Sequence, residues 1–217
     1  MSPPDARPST RLILIRHGES VAQEQGFLSG HDTCKGLSDT GRTQMLTLRD
    51  RLLATGELGD VDAVYTSILP RAIESAEIIA PALGGVTPQP ECDWCEIHAG
   101  DAEGLTWPEF REQFPIVGDL DDPFRTRATG AETWAEFYVR AGARLRRIAR
   151  EHPGERVVVV CHGGIIGASF IALGDLPLRT GNAMTFETVN TSITEWRYTG
   201  TDWRLVRYND AAHLAGV

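Results

Sequence analysis

Apolar residues follow two rhythms along this chain. Stretches 12–15 (Leu-Ile-Leu-Ile), 63–65 (Ala-Val-Tyr) and 157–160 (four valines) are short continuous runs. Their length and polar flanks suit strands buried on both faces. The valine run is the most strongly β-forming of the three. Between the runs, apolar residues recur at helical spacing: Met45, Leu48 and Leu52, then Ile73, Ala76, Ile79, Ala80 and Leu83, then Trp134, Phe137, Ala141, Leu145 and Ile148. Punctuation agrees with this division. Ser38-Asp39 starts the first helix and Gly56 stops it, whereas Pro70 suits the first turn of the second and Gly84 ends it. Thr133 and Glu136 form a capping-box pattern ahead of the third, and His152-Pro153-Gly154 halts it. Gly163-Gly164 leads into a fourth helix through Ile171. Further strands are predicted at 184–187, 193–197 and 204–208. Strands alternating with helices imply an α/β fold with a mostly parallel sheet covered on both faces.

Residues 92–130 break both rhythms. They hold Trp94, Trp107, a short predicted helix near 106–114 and the acids Asp119, Asp121 and Asp122. The expectation is one domain over 11–217, with 92–130 as an insertion and 1–10 as a disordered leader.

At 217 residues, a chain buries roughly 70% of its unfolded surface and needs neither disulfides nor metal to fold. No apolar run approaches the roughly 18 residues that span a bilayer, and the first ten lack the apolar centre of a signal peptide. A cytoplasmic protein is expected. The net charge of −9 argues against nucleic-acid or anionic-membrane partners. Any anionic substrate therefore needs a local cationic pocket. Cys92 and Cys95 form a C-x-x-C followed by His98. A structural zinc site typically draws on two such pairs, and a redox pair normally opens a helix after a strand. The sequence has no second pair and this one lies in an irregular stretch, so ordinary reduced thiols are expected.

Ligands of open α/β sheets gather beyond the C-terminal ends of strands. Arg16-His17-Gly18 follows the first predicted strand. Thr66-Ser67 follows the second, with Arg71 just inside the next helix. Cys161-His162-Gly163-Gly164 follows the valine run. Two histidines and two arginines thus leave three strands at one edge.

In LIRHGES at 14–20, GHDTCKGLSDTGRTQ at 30–44, YTSILPRAIESA at 65–76, CEIHAGDAEG at 95–104, VVCHGG at 159–164 and NTSIT at 190–194, the sequence resembles the histidine phosphatase superfamily, the phosphoglycerate-mutase-like proteins. The resemblance covers nearly the whole chain after residue 10. It implies a three-layer α/β/α sandwich, an insertion covering the active site, and a covalent phosphohistidine mechanism without metal or cofactor. Neutral imidazole is a suitable attacker of a dianionic phosphate monoester, and His17 stands on a tight strand-to-loop turn beside Gly18. Arg16 and Arg71 can fork onto phosphate oxygens, His162 can donate to a third, and backbone N–H groups around Gly163 add donors at a helix start. The resemblance places the proton donor at Glu96, with Glu103 the competing carboxylate. Where many relatives carry Asn, this chain has Gln23, whose longer side chain can make the same contacts. Gln23, Ser29 and Gly30 complete the expected substrate pocket. His31, His98, His152 and His213 read as structural or surface residues, with His98 near the pocket. Asn190 reads equally as an orienting group or a turn former.

These residues point to a phosphatase acting on a small phosphorylated metabolite. The rival is a phosphoglycerate mutase, which shares the chemistry but needs cations for a second phosphate, and 97–124 offers only Arg111. A catalytically inactive binding module is the third reading. It is disfavoured because nucleophile, acid and arginines are all present.

Overall fold

A computed structural model describes residues 9–115, 122–177 and 186–215. Twelve elements follow in chain order: β1 (Thr10–Arg16), α1 (Val21–Gln25), α2 (Asp39–Thr55), β2 (Ala63–Thr66), α3 (Pro70–Ile79), β3 (Gln89–Pro90), α4 (Trp107–Gln113), α5 (Trp134–Glu151), β4 (Arg156–Cys161), α6 (Gly163–Gly174), β5 (Ile193–Tyr198) and β6 (Trp203–Asp210). The strands make one six-stranded sheet in the order β3-β2-β4-β1-β5-β6. β3, β2, β4 and β1 run parallel, while β5 and β6 are antiparallel additions at one side.

The pleat sends alternate residues of the central strands into two cores. Leu12, Leu14, Val157 and Val159 join Phe137, Ala141, Leu145 and Ile148 of α5 and Ile165, Ile166 and Phe170 of α6. Ile13, Ile15, Val158 and Val160 join Met45, Leu48 and Leu52 of α2 and Ala72, Ala76 and Ile79 of α3. Both faces of the sheet are therefore covered, and the α/β/α layering follows from strands apolar on both faces. The register then sets the site. Arg16 pairs with Cys161 and Thr66 with Val160, so three strands end level. Two bonds carry the alignment past the strand ends, from His17 N–H to the Cys161 carbonyl at 2.9 Å and from Ser67 N–H to the Val160 carbonyl at 3.1 Å.

Four details differ from the periodicity. The buried face of α3 is Arg71, Ala72, Ser75, Ala76 and Ile79, with Ile73 and Ala80 only half-buried. Two polar side chains on that face belong to the site, and an apolar pattern cannot register them. α3 also stops at Ile79 and tightens into a 3₁₀ turn over Ala80–Ala82, because Pro81 has no N–H with which to continue the ladder. α6 runs to Gly174, beyond the expected Ile171. Of the strand expected at 184–187, residues 184 and 185 lie outside the described residues, and 186–187 are irregular. The expected leader lies outside them through residue 8, and so do Asp119 and Asp121. No helix among the described residues is long and apolar enough to cross a membrane.

Candidate active site

His17 emerges from β1 into a turn packed against α2 and α3. The Gly18 N–H donates to Ser75 Oγ at 3.1 Å, and Ser75 Oγ donates to the Arg71 carbonyl at 2.7 Å. Gly18 lies so close to the Gly41 carbonyl that a Cβ there would meet it at 2.5 Å. Gly18 is thus required by close approach rather than by an unusual backbone angle. The Asn190 side-chain amide donates to the His17 carbonyl at 3.0 Å, and Thr191 N–H donates to the Arg16 carbonyl at 3.0 Å.

The imidazole of His17 is almost fully buried. Its Nδ1 lies 2.6 Å from the Gly18 carbonyl, an acceptor, so Nδ1 carries the proton. Nε2 is left with its lone pair, and Arg71 Nε–H donates to it at 3.3 Å. Burial first, then the charges of Arg71 and Arg16, hold His17 well below the ordinary imidazole range. It is therefore neutral at physiological pH.

His162 is the residue before α6 and is fully buried. Its ring meets that of His17 edge-on at 5.0 Å between centroids. Neither of its ring nitrogens has a protein partner. Burial, then Arg71, His17 and Arg16, keep it neutral as well. Arg16 donates through Nη1 to the Thr188 carbonyl, while its buried Nε has no partner. Arg71 reaches from the first turn of α3. Its Nη1 donates to the Ser29 carbonyl at 3.4 Å, to Ser29 Oγ at 3.5 Å and to Cys34 Sγ at 3.3 Å. Unpaired buried donors are costly unless a ligand satisfies them. Here they converge around one lone pair, as a site for a tetrahedral oxyanion requires.

Glu96 closes the site from the insertion. Its carboxylate accepts from Gly164 N–H at 2.9 Å and Ile97 N–H at 3.0 Å, which places it at the start of α6. A Cβ on Gly164 would overlap that carboxylate. Burial, and then the Glu96 charge, raise the Tyr138 phenol above its usual range. Glu103, the competing carboxylate, accepts instead from His31 N–H, Asp32 N–H and Thr33 Oγ at 3.0–3.2 Å. It caps a loop, and its oxygens are spent there.

The sequence profile of the histidine phosphatase superfamily (branch 1) matches residues 12–211. This chain belongs to the histidine phosphatase superfamily. It is similar to phosphoglycerate mutase-like protein 4 of Arabidopsis thaliana, with 31% identity over 94% of this chain and 86% of that protein. It is also similar to the metal-independent phosphoserine phosphatase of the same plant, with 29% identity over 96% and 84%. Among solved structures, Bacillus stearothermophilus YhfR matches with a TM-score of 0.80 and 30% identity, over 94% of this chain and 98% of that one.

Within this superfamily enzyme, the fold brings together Arg16, His17, Arg71, His162 and Glu96, all five anticipated from sequence. Gly163 lies beside Arg16, whose Nε would sit 3.6 Å from a Cβ there. Ser29 is reached by Arg71, whereas Gly30 packs against Glu103. Gln23 is the third residue of α1. Its side-chain oxygen accepts from Ser20 N–H at 3.1 Å, closing a capping box, and its amide pairs with Asn190. Asn190, left open between two roles, orients the His17 backbone. Ser75, Thr188 and Tyr138 were not anticipated, because each acts through folded proximity and carries no local motif. Trp94 is fully buried in the core and Trp107 is half exposed.

Two thiols are unlike nucleophiles. Burial drives Cys161 far above the usual thiol range, and burial together with Cys95 pushes Cys92 up to about 11. Cys92 and Cys95 are free thiols, and they have a neighbour from elsewhere in the chain. His31 comes in from a distant loop to meet Cys92 and His98, and the three ligating atoms lie within 4.8 Å of one another.

Proposed function

We propose that this protein is a phosphomonoesterase that hydrolyses a small phosphorylated metabolite through a phosphohistidine on His17, with no metal in the chemical step. The observation that carries the reading is the fixed tautomer of His17. The Gly18 carbonyl holds the Nδ1 proton, so the Nε2 lone pair faces the cluster of Arg71, Arg16 and His162.

The phosphoryl group sits among these donors, and Arg71 exchanges its bond to Nε2 for bonds to phosphate oxygens. His17 Nε2 attacks phosphorus, the P–N bond forms, and the P–O bond to the leaving group breaks. Glu96, as general acid, gives a proton to the departing alkoxide. Water then attacks the phosphohistidine, Glu96 takes a proton from it, and the P–N bond breaks to release inorganic phosphate and free imidazole. Positioning and charge neutralisation do most of the work in phosphoryl transfer. Removing one preorganised donor typically costs about 10²–10³ in rate. Similarity to a metal-independent phosphoserine phosphatase supports hydrolysis of a small phosphorylated metabolite.

Rapid quenching with radiolabelled substrate tests the proposal. Wild type is expected to carry label on histidine, and His17→Ala to carry none and to lack turnover while keeping its thermal transition. Label on Ser20 or Cys161 would overturn the mechanism.

A further inference from the structure

The C-x-x-C pair is not used by the chemistry above, yet it does not stand alone. Cys92 begins a 3₁₀ turn over Cys92–Trp94 that brings Cys95 back, with Cys95 N–H bonded to the Cys92 carbonyl at 2.9 Å. His98 follows on the same segment. His31 arrives from the loop after Gly30, 61 residues away from Cys92 in sequence. His31 Nε2 lies 3.4 Å from Cys92 Sγ and 3.8 Å from Cys95 Sγ, and His98 Nε2 lies 3.9 Å from Cys92 Sγ. The two imidazoles meet edge-on at 4.9 Å between centroids.

We propose that His31, Cys92, Cys95 and His98 form a tetrahedral zinc site that ties together two loops of the active-site mouth. Zinc takes thiolates at about 2.3 Å and imidazole nitrogens at about 2.0–2.1 Å, so an N···S edge of such a tetrahedron spans roughly 3.5 Å. The three N···S separations here lie within a few tenths of an ångström of that edge; His31, Cys92 and His98 already stand within 4.8 Å of one another, and Cys95 Sγ, 3.8 Å from His31 Nε2, must close toward His98 to complete the tetrahedron. Two sulfurs and two nitrogens form a donor set suited to zinc and poorly suited to the hard cations magnesium and calcium.

The surroundings are built to hold these donors. Arg140 Nη1 donates to the carbonyls of Cys92, Asp93 and Cys95, each at 3.2 Å, which fixes the turn. Arg140 is itself held by Glu132 at 2.7 Å, and Glu132 also accepts from His98 N–H at 3.2 Å. Ser67 Oγ donates to Cys95 Sγ at 3.3 Å and can remain as an outer partner of a bound thiolate. Glu103 fixes the loop bearing His31 through its backbone. Placement gives the site its meaning. His31 lies two residues beyond Ser29, which accepts from Arg71, and Cys95 immediately precedes Glu96. Zinc here would clamp the loop beneath the phosphate-binding arginine to the loop that carries the acid, without touching phosphate. The proposal is independent of the hydrolytic mechanism.

The test uses the full chain, untagged, stripped with chelator under reductant, reconstituted with zinc and freed of excess. One zinc per chain by elemental mass spectrometry is expected, with a rise of several degrees in Tm. Cobalt substitution should give tetrahedral d–d bands and a thiolate charge-transfer band. Chelator competition should show zinc held at least about 100-fold more weakly by Cys92→Ser and by His31→Ala. His31 is exposed, so the second variant reports on binding even if the first folds poorly. A wild type that retains no zinc, variants that hold it as tightly as wild type, or a Cys92–Cys95 disulfide recovered from reduced protein would each overturn the site. None of those outcomes bears on label at His17.

Discussion

Glu96 and Gly164 form a matched pair. The carboxylate can sit at the start of α6 only because Gly164 has no side chain, and it takes the Gly164 N–H in return. If Glu96 protonates the leaving group, both positions should show it through substrate choice. An aryl phosphate leaves as a stabilised phenolate and needs little proton donation, whereas an alkyl phosphate needs it fully. Glu96→Gln is expected to lower kcat/KM on alkyl phosphates by about 10²–10⁴ and on aryl phosphates far less. Gly164→Ala should reproduce the same asymmetry, because its Cβ displaces the carboxylate while His17 and Arg71 stay in place. Equal losses on both substrates would assign the proton to another group, and Tyr138 would be examined first.

Elements do the positioning, and α2 shows how. Its first turn lies so close to the turn after His17 that a Cβ on Gly41 would overlap the Glu19 backbone. Gly41→Ala should therefore move the nucleophile itself. Misplacement by about 1 Å can cost about 10²-fold in rate, and here the loss is expected on aryl and alkyl phosphates alike, with a lowered Tm. That uniformity separates it from Gly164→Ala in the same assays. Elements were also the scale at which the sequence was most legible. Ser38 and Gly56 bound α2, Thr133 caps α5 and His152 ends it, because caps are local chemistry. The strand ends carrying Arg16, His17 and His162, and the helix start carrying Arg71, were legible for the same reason. α1 and β3 were not, being too short for a periodic pattern. The meeting of His31 with Cys92 was not legible either, because nothing local to either residue records a contact spanning two loops. The sequence weighed Glu96 against Glu103 by resemblance alone, because no local pattern records that Glu103 accepts from the His31 and Asp32 N–H groups and from Thr33 Oγ.

Two whole-molecule properties follow from burying a cationic site in an acidic protein. The first is stability against pH. His17 and His162 are held neutral well below the usual imidazole range, chiefly by burial. Unfolding restores a pKa of about 6.5 to each. Above that value neither state binds the protons and the pair leaves stability unchanged. As pH falls below it, the unfolded chain gains protons that the folded one refuses, and stability drops. Between pH 7.5 and 5.5 the pair can cost up to about 2–3 kcal/mol, the limit for two groups that stay unprotonated when folded, or a Tm lower by up to roughly 4–12 °C. His17→Asn/His162→Asn should flatten that slope in calorimetry, and an unchanged slope would mean both histidines take up protons alike in the folded and unfolded chain. The second property is the fate of the phosphoryl group. Hydrolysis and mutase-type transfer both begin with phosphate on His17 and differ in what attacks next. Transfer requires cations beyond the phosphate pocket to hold the carboxylate and second phosphate of a glycerate bisphosphate while water is excluded. In the insertion, Arg111 is exposed on α4 and Arg127 lies over the Phe110 ring at 5.5 Å, while Arg140 of the neighbouring α5 is bound to Glu132 and three loop carbonyls. Asp101, Glu103, Glu109 and Glu112 surround them in sequence, and the whole chain carries −9. If that charge balance governs the mouth, as the proposed hydrolysis requires, it disfavours a bisphosphate and leaves water as the acceptor. Incubation with 3-phosphoglycerate and catalytic 2,3-bisphosphoglycerate is therefore expected to give little 2-phosphoglycerate, with any turnover appearing as inorganic phosphate. Rapid interconversion of the two monophosphates without phosphate release would make the enzyme a mutase, and Arg125 and Arg127, the next cations along the chain, would be the residues to substitute.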